Sequence, residues 1–344
     1  MQAFARPLNP KPAGNWLQIQ SRRSQKISID NDFFIDIRGV SVQIFFKMNF
    51  QNALTIAATG LFISSVSASV TLDWVTVGNA GNAADSTGFG AVGYNYQIGK
   101  YEVTNAQYGA FLNAKAATDN YGLYNTNMSS SGITRSGSSG SFTYSVTEAL
   151  ANRPVVHVSW YDAARFANWL ANGQGSGDTE TGSYTLSGAT SGNFTANAGA
   201  QVYIPTENEW YKAAYYNGAN STYSLYPNGQ NTITTADANY NRSVGSSTNV
   251  GTYSSDPSFY GTFDQGGNVW EWNDAVIGSA RGLRGSAWYF DGASYLASTY
   301  RYSNASPSDE VDLIGFRLAS VPEPSSMVLA ILASGVMLTR RRRI

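Results

Sequence analysis

The stretch "DQGGNVWEW", residues 264–272, gathers oxygen donors and conformational freedom into nine positions. Asp264 and Glu271 offer carboxylates, and the glycines let the backbone turn so that carbonyls point inward, which is how a hard cation such as calcium is held. A plainer role is open to the same residues: Glu271 bonds backbone amides while Trp270 and Trp272 fill core. Other chemistry is scarce. The chain has no cysteine, which removes disulfides, thiolate nucleophiles, iron-sulfur clusters and zinc-thiolate sites. Its one histidine, His157, rules out a multi-histidine metal site; it falls in "PVVHV" (154–158), whose alternation predicts a strand with His157 packed or partly exposed in it. Glu207 with Glu209, or the cluster Asp309, Glu310 and Asp312, form an acid–base pair only if the fold sets them at a suitable separation. Glu209 reads instead as a helix cap, and 309–312 as a solvated turn.

Charge narrows the partners. Residues 48–339 carry eleven basic and twenty acidic side chains, whereas 1–47 and the run Arg340 to Arg343 are basic. An acidic body repels phosphate backbones, so nucleic acid is not an expected partner, and cations are.

Both ends read as addresses. "MNFQNALTIAATGLFISSVSA" (48–68) has an apolar centre from Ala53 to Val66 and small residues up to Ala68, the pattern of a signal peptide for signal peptidase. Translation is accordingly expected to start at Met48, with 1–47 a doubtful extension. At the other end "VPEPSSMVLAILASGVMLTRRRR" (321–343) sets a Pro-Glu-Pro break before 13 uncharged residues and four arginines, short for a permanent span of about 20 residues. This order resembles the bacterial PEP-CTERM sorting signal, and the resemblance implies recognition by an exosortase, transient membrane association through the C-terminal helix of 321–344, and a destination at the cell surface, outer membrane or extracellular matrix.

Positioning falls to the body, 69–320. Thr104 with Gln107, Ser159 with Asp162 and Thr206 with Glu209 each place a hydroxyl three residues before a side-chain acceptor, predicting three short helices. Strand signals are "YNYQIGKYEV" (94–103), "PVVHV", "QVYIP" (201–205), "LRGSAWYF" (283–290) and "IGFRLAS" (314–320). The polar stretches 129–141 and 173–200 read as surface loops or hairpins. The class is α+β.

Six blocks, "KYEVTNAQYGAFLNA", "RPVVHVSWYDAARFANWL", "YIPTENEWYKAAYYNG", "GNVWEWND", "LRGSAWYF" and "IGFRLAS", resemble in order and spacing the sulfatase-modifying factor family, whose founding member is the formylglycine-generating enzyme. The resemblance covers about 72–320 and implies an irregular, loop-rich, single-domain α+β fold similar to C-type lectins. It further implies a structural calcium on Asp264, the Gly267 and Val269 carbonyls and Glu271, with Asn239 toward a second ion. The family's copper is held by two cysteines in the segment before "GFR", here 293–317, and its sulfoxide synthases use iron on three histidines. Neither copper nor iron is expected in this chain, and no catalytic residue is assigned.

The expected function is a binding module for a glycan, exopolysaccharide or matrix protein, with Trp288, Tyr289, Asp291, Tyr295, Tyr300, Arg301 and Tyr302 as ligand-binding residues and at least half of the five aromatics buried. The alternative is an enzyme of another type on the same fold.

Overall fold

In the computed structural model, which describes residues 33–37, 40–44 and 69–321, the chain divides between Ser64 and Ser65 into two units. In the first, β1 (Phe33–Ile37) and β2 (Val40–Ile44) form an antiparallel hairpin. The signal-peptide segment 48–68 and the sorting segment beyond Val321 lie outside the described residues.

The second unit runs β3 (Trp74–Val77), β4 (Tyr96–Gly99), α1 (Asn105–Lys115), α2 (Met128–Ser131), β5 (Ile133–Ser136), β6 (Thr143–Val146), α3 (Trp160–Ala171), β7 (Val202–Tyr203), α4 (Glu207–Tyr215), β8 (Tyr216–Asn217), β9 (Thr222–Tyr223), β10 (Trp270–Ile277), β11 (Ala280–Arg284), β12 (Tyr302–Ala305), β13 (Ile314–Gly315) and β14 (Ala319–Ser320). Long irregular connections join few helices, as the sequence suggests.

α1, α3 and α4 begin at the three hydroxyls named above. Thr104, Ser159 and Thr206 each accept from the backbone N–H three residues on, and Gln107, Asp162 and Glu209 reach back to the cap. Such a cap is worth about 1 kcal/mol, enough to fix where a short helix starts but not to hold it. Packing holds it. Tyr108, Phe111 and Leu112 of α1 are fully buried against Phe166 and Trp169 of α3, with Phe111 and Phe166 edge to face at 5.4 Å and Phe166 against Phe316 at 5.5 Å.

Two four-stranded sheets carry the rest. One, ordered β3-β4-β14-β7, is antiparallel throughout; the other, β12-β11-β10-β13, pairs β10 with β13 in parallel. "IGFRLAS" therefore makes two strands rather than one: β13 closes the second sheet, β14 enters the first, and Phe316 to Leu318 cross between them, with the Phe316 carbonyl accepting from Val103 N–H.

Two other strand expectations fail, one through a long-range contact and one at a turn. "PVVHV" forms only an isolated bridge, Thr104 to Pro154, because His157 is left-handed (φ 60°) and its N–H is drawn to the Val311 carbonyl at 3.0 Å. "LRGSAWYF" stops at Arg284, where Gly285 (φ 97°) and Ser286 (φ 70°) turn the chain. Conversely "WEW" opens β10, the longest strand of the unit, and the polar run 129–141 contributes to the hairpin β5–β6.

Candidate functional site

Alternation along β10 sends Trp270 and Trp272 into the main core and Glu271 to the opposite face, under α4. Glu271 is fully buried there. Arg317 clasps it with Nε to Oε2 and Nη2 to Oε1, both 2.6 Å, and Trp210 Nε1 donates to Oε2 at 2.7 Å. The remaining guanidinium hydrogens go to the carbonyls of Gly99 (3.0 Å), Lys100 (3.3 Å) and Phe263 (2.8 Å). All five donors of Arg317 are thus used, so one ion pair ties β4, the 263–267 turn, β10 and the crossover between the sheets.

The turn before β10 is tight. Asp264 and Asn268 are left-handed without being glycine, and Gly267 (φ 86°) has no room for a side chain: a Cβ there would lie 2.3 Å from the Asn239 carbonyl oxygen. That closeness lets Asn268 N–H reach the same oxygen at 2.8 Å. The Asn268 side chain then donates to Glu102 Oε1 (3.0 Å) and accepts from Thr248 N–H (2.9 Å).

Three acidic groups, Glu102, Asp264 and Glu271, thus lie around one guanidinium, which bonds only Glu271. Burial first, and the neighbouring Asp264 carboxyl second, push Glu102 well above the usual carboxylate range; burial pushes Asp264 up to about 6 against the pull of the Gly251 N–H and Arg317. Glu102 Oε2 and Asn239 Oδ1 are buried acceptors without a donor. The Asp264 carboxyl, which has no ion-pair partner among the described residues, and the two idle oxygens are what a divalent cation would satisfy, so the donor chemistry fits calcium. Among the described residues no three His, Cys, Asp or Glu side chains converge on one point, so such an ion would draw on backbone carbonyls and amide oxygens as well.

On the far side of β10, Trp270 walls a cavity of about 190 Å³ with Leu283, Phe290, Tyr302, Ala305, Asp309, Val311 and Leu313. The ring of Trp270 meets Phe290 at 5.5 Å and 84°, Tyr300 at 5.8 Å and Tyr302 at 5.9 Å. Tyr295 extends the group, 5.4 Å from Phe290 and 4.9 Å from Tyr300. A larger cavity, about 470 Å³, lies between residues 69–73 and the start of α1, away from these aromatics.

Of the residues proposed to touch ligand, none of the five aromatics is fully buried, contrary to the expectation that at least half would be. Trp288, Tyr295 and Tyr300 are half-buried, and Tyr289 and Tyr302 are exposed. Asp291 pairs with Arg242 at 3.3 Å, and Arg242 lies over the Tyr289 ring at 4.1 Å, an exposed polar and aromatic patch beside the cavity. Arg301 is turned away from that surface: with Arg284 it grips Glu207, at 2.8 Å through Nε and 2.5 Å through Nη2. Glu207 is neutralised by two arginines, and Glu209 caps α4 while accepting from Tyr203 (2.7 Å) and Tyr94 (2.9 Å), so neither is free for acid–base work. Trp270, Phe290 and Asp309 belong to the cavity but were not among the ligand-binding residues read from the sequence. Only the places of Trp270 in "WEW", of Phe290 at the end of "LRGSAWYF" and of Asp309 in the segment before "GFR" pointed to it.

Residues 75–321 match the Sulfatase-modifying factor enzyme 1-like domain. The chain belongs to that family. Solved structures agree on the fold: the Treponema denticola variable protein 1 is 23% identical, with 74% of this chain and 97% of that one covered and a TM-score of 0.50. CarF is 24% identical, with 74% and 99% covered and a TM-score of 0.52. No curated protein matches the chain.

This sulfatase-modifying factor domain lacks the residues for the copper chemistry that its family resemblance implies. The segment before "GFR" supplies β12 and much of the cavity wall, and it holds no thiolate, because the chain has no cysteine. A soft cuprous ion has no suitable ligand there.

Proposed function

We propose that this protein is an exported, non-catalytic binding module whose ligand seat is the cavity walled by Trp270, Phe290 and Tyr302. The observation that carries the reading is the combination in one segment: 293–317 has no metal-binding thiolate, yet it frames an aromatic-walled cavity with Tyr302 at 38% exposure on its rim. Aromatic faces with an adjoining Arg242–Asp291 pair suit a sugar ring or a protein side chain, so exopolysaccharide or matrix protein is the partner class. Export is supported by the two terminal addresses, with signal peptidase and exosortase as processing partners and the cell surface or extracellular matrix as destination. Purified protein is expected to leave a cysteine-containing sulfatase peptide unchanged by mass spectrometry; conversion of the cysteine to formylglycine would overturn the non-catalytic reading.

Calcium has a structural part in this proposal. Asp264, the carbonyls of Gly267 and Val269, and Glu271, which also keeps its pair with Arg317, would hold it, with Asn239 beside them, and the ion would balance Asp264, which Arg317 does not contact. Adding calcium to chelator-treated protein at about a hundred times the dissociation constant is expected to stabilise the fold by about 2.7 kcal/mol, a rise in melting temperature of several degrees. Calorimetric traces that superimpose with and without calcium would remove the ion from the account.

A further inference from the structure

The cavity's walls and charge say more about its ligand than that it is apolar. Three aromatic rings line it, and Trp270 and Phe290 meet nearly perpendicular along its wall. One carboxylate, Asp309, lines the same space; its Oδ2 accepts from Ser306 N–H at 2.9 Å, and its other oxygen makes no hydrogen bond among the described residues. No Lys, Arg or His lines the cavity. The acidic side chains of Glu310 and Asp312 follow on the same segment; Arg301, next to Tyr302, is engaged on Glu207, and His157 is buried with Nδ1 toward the Glu310 carbonyl. The space is small beside the roughly 300–1,000 Å³ of a pocket for a drug-sized ligand, so it takes one group.

We propose that this cavity is a cage for an alkylammonium group, with the cation against the faces of Trp270, Phe290 and Tyr302 and Asp309 as its counter-charge. The ring quadrupole presents its negative face to a cation, and a methylated ammonium sheds water more readily than a bare one, so an apolar box with one carboxylate selects it over a neutral or anionic group. The inference rests on the reading of this cavity as the ligand seat.

The probe is choline, compared with its uncharged isostere 3,3-dimethyl-1-butanol, each titrated into the full-length protein and followed by calorimetry and tryptophan fluorescence. Choline is expected to bind at least about tenfold more tightly than the isostere. Tyr302→Leu, which keeps bulk but removes the ring, and Asp309→Asn, which keeps the acceptor for Ser306, are each expected to weaken choline by about three- to tenfold while leaving the melting temperature near that of the parent. Equal affinity for the two probes, or an unchanged choline affinity in both variants, would overturn the cage. Running the same preparations on a glycan and peptide array separates the two readings. Failure of choline with Tyr302-dependent array binding sinks the cage alone, and failure of both sinks the ligand seat with it.

Discussion

Arg317→Gln is expected to destabilise the protein by about 3–5 kcal/mol, because the substitution strands a fully buried Glu271 without its counter-ion. Three carbonyls, those of Gly99, Lys100 and Phe263, lose their donors at the same time. For a domain of this size the loss corresponds to a fall of roughly 10 °C in melting temperature. The pair can be separated from its parts by a double-mutant cycle: Glu271→Gln with Arg317→Gln is expected to cost much less than the sum of the single changes, since the stranded charge disappears with its partner. Urea denaturation of the four proteins measures both quantities. Additive losses, or an Arg317→Gln loss below about 1 kcal/mol, would mean that the guanidinium does not hold the two sheets and the 263–267 turn together.

Gly267→Ala is expected to cost about 3 kcal/mol, the sum of left-handed strain and a backbone collision. Its Cβ would sit 2.3 Å from the Asn239 oxygen and 2.9 Å from the Asn239 carbonyl carbon, and neither is the end of a flexible side chain. The comparison that isolates the collision is Gly278→Ala, in the turn between β10 and β11. That glycine is also left-handed (φ 62°), but a Cβ there meets nothing within 4 Å. It should lose only about 1 kcal/mol, the strain alone. The Gly267 change has a further consequence at the surface, because Asn241 and Arg242, which follow Asn239, are themselves left-handed and donate from their backbone to the carbonyls of Phe290 and Trp288. Equal losses for the two alanines would show that the 239 segment yields freely, and that the turn does not seat the patch formed by Arg242, Tyr289 and Asp291.

What the sequence reveals and what it hides follow from the range of the interactions. The three capping boxes are legible because each is settled within four residues, and the helices start where the hydroxyls say. β10 is hard to read because its second residue, Glu271, looks like a cation ligand or a partner for backbone amides until Arg317, 46 positions later, pairs with it. His157 shows the converse: a run of strand-forming residues is bent by a contact with Val311. At the site, the aromatic character of 288–302 is visible from composition, but the direction of each side chain is not. Arg301 stands between two tyrosines in sequence yet belongs to Glu207, 94 residues away, whereas Asp309, in a stretch that reads as a solvated turn, lines the cavity. Trp270 reads as core, and it is core; being part of the cavity wall as well depends on Phe290 and Tyr302, which only the fold brings to it.

β10 joins these two halves of the account, with Glu271 locked into the charged turn on one face and Trp270 walling the cavity on the other. The cavity is proposed to recognise a ligand and to perform no chemistry on it. The most direct measurement is an array of glycans and matrix peptides probed in parallel with the parent protein and with Tyr302→Ser, whose ring is exposed enough to remove without unfolding the domain. A defined set of ligands should be retained unaltered by the parent and lost by the variant. Ligands held equally by both proteins, or found chemically changed after contact with the parent, would contradict that.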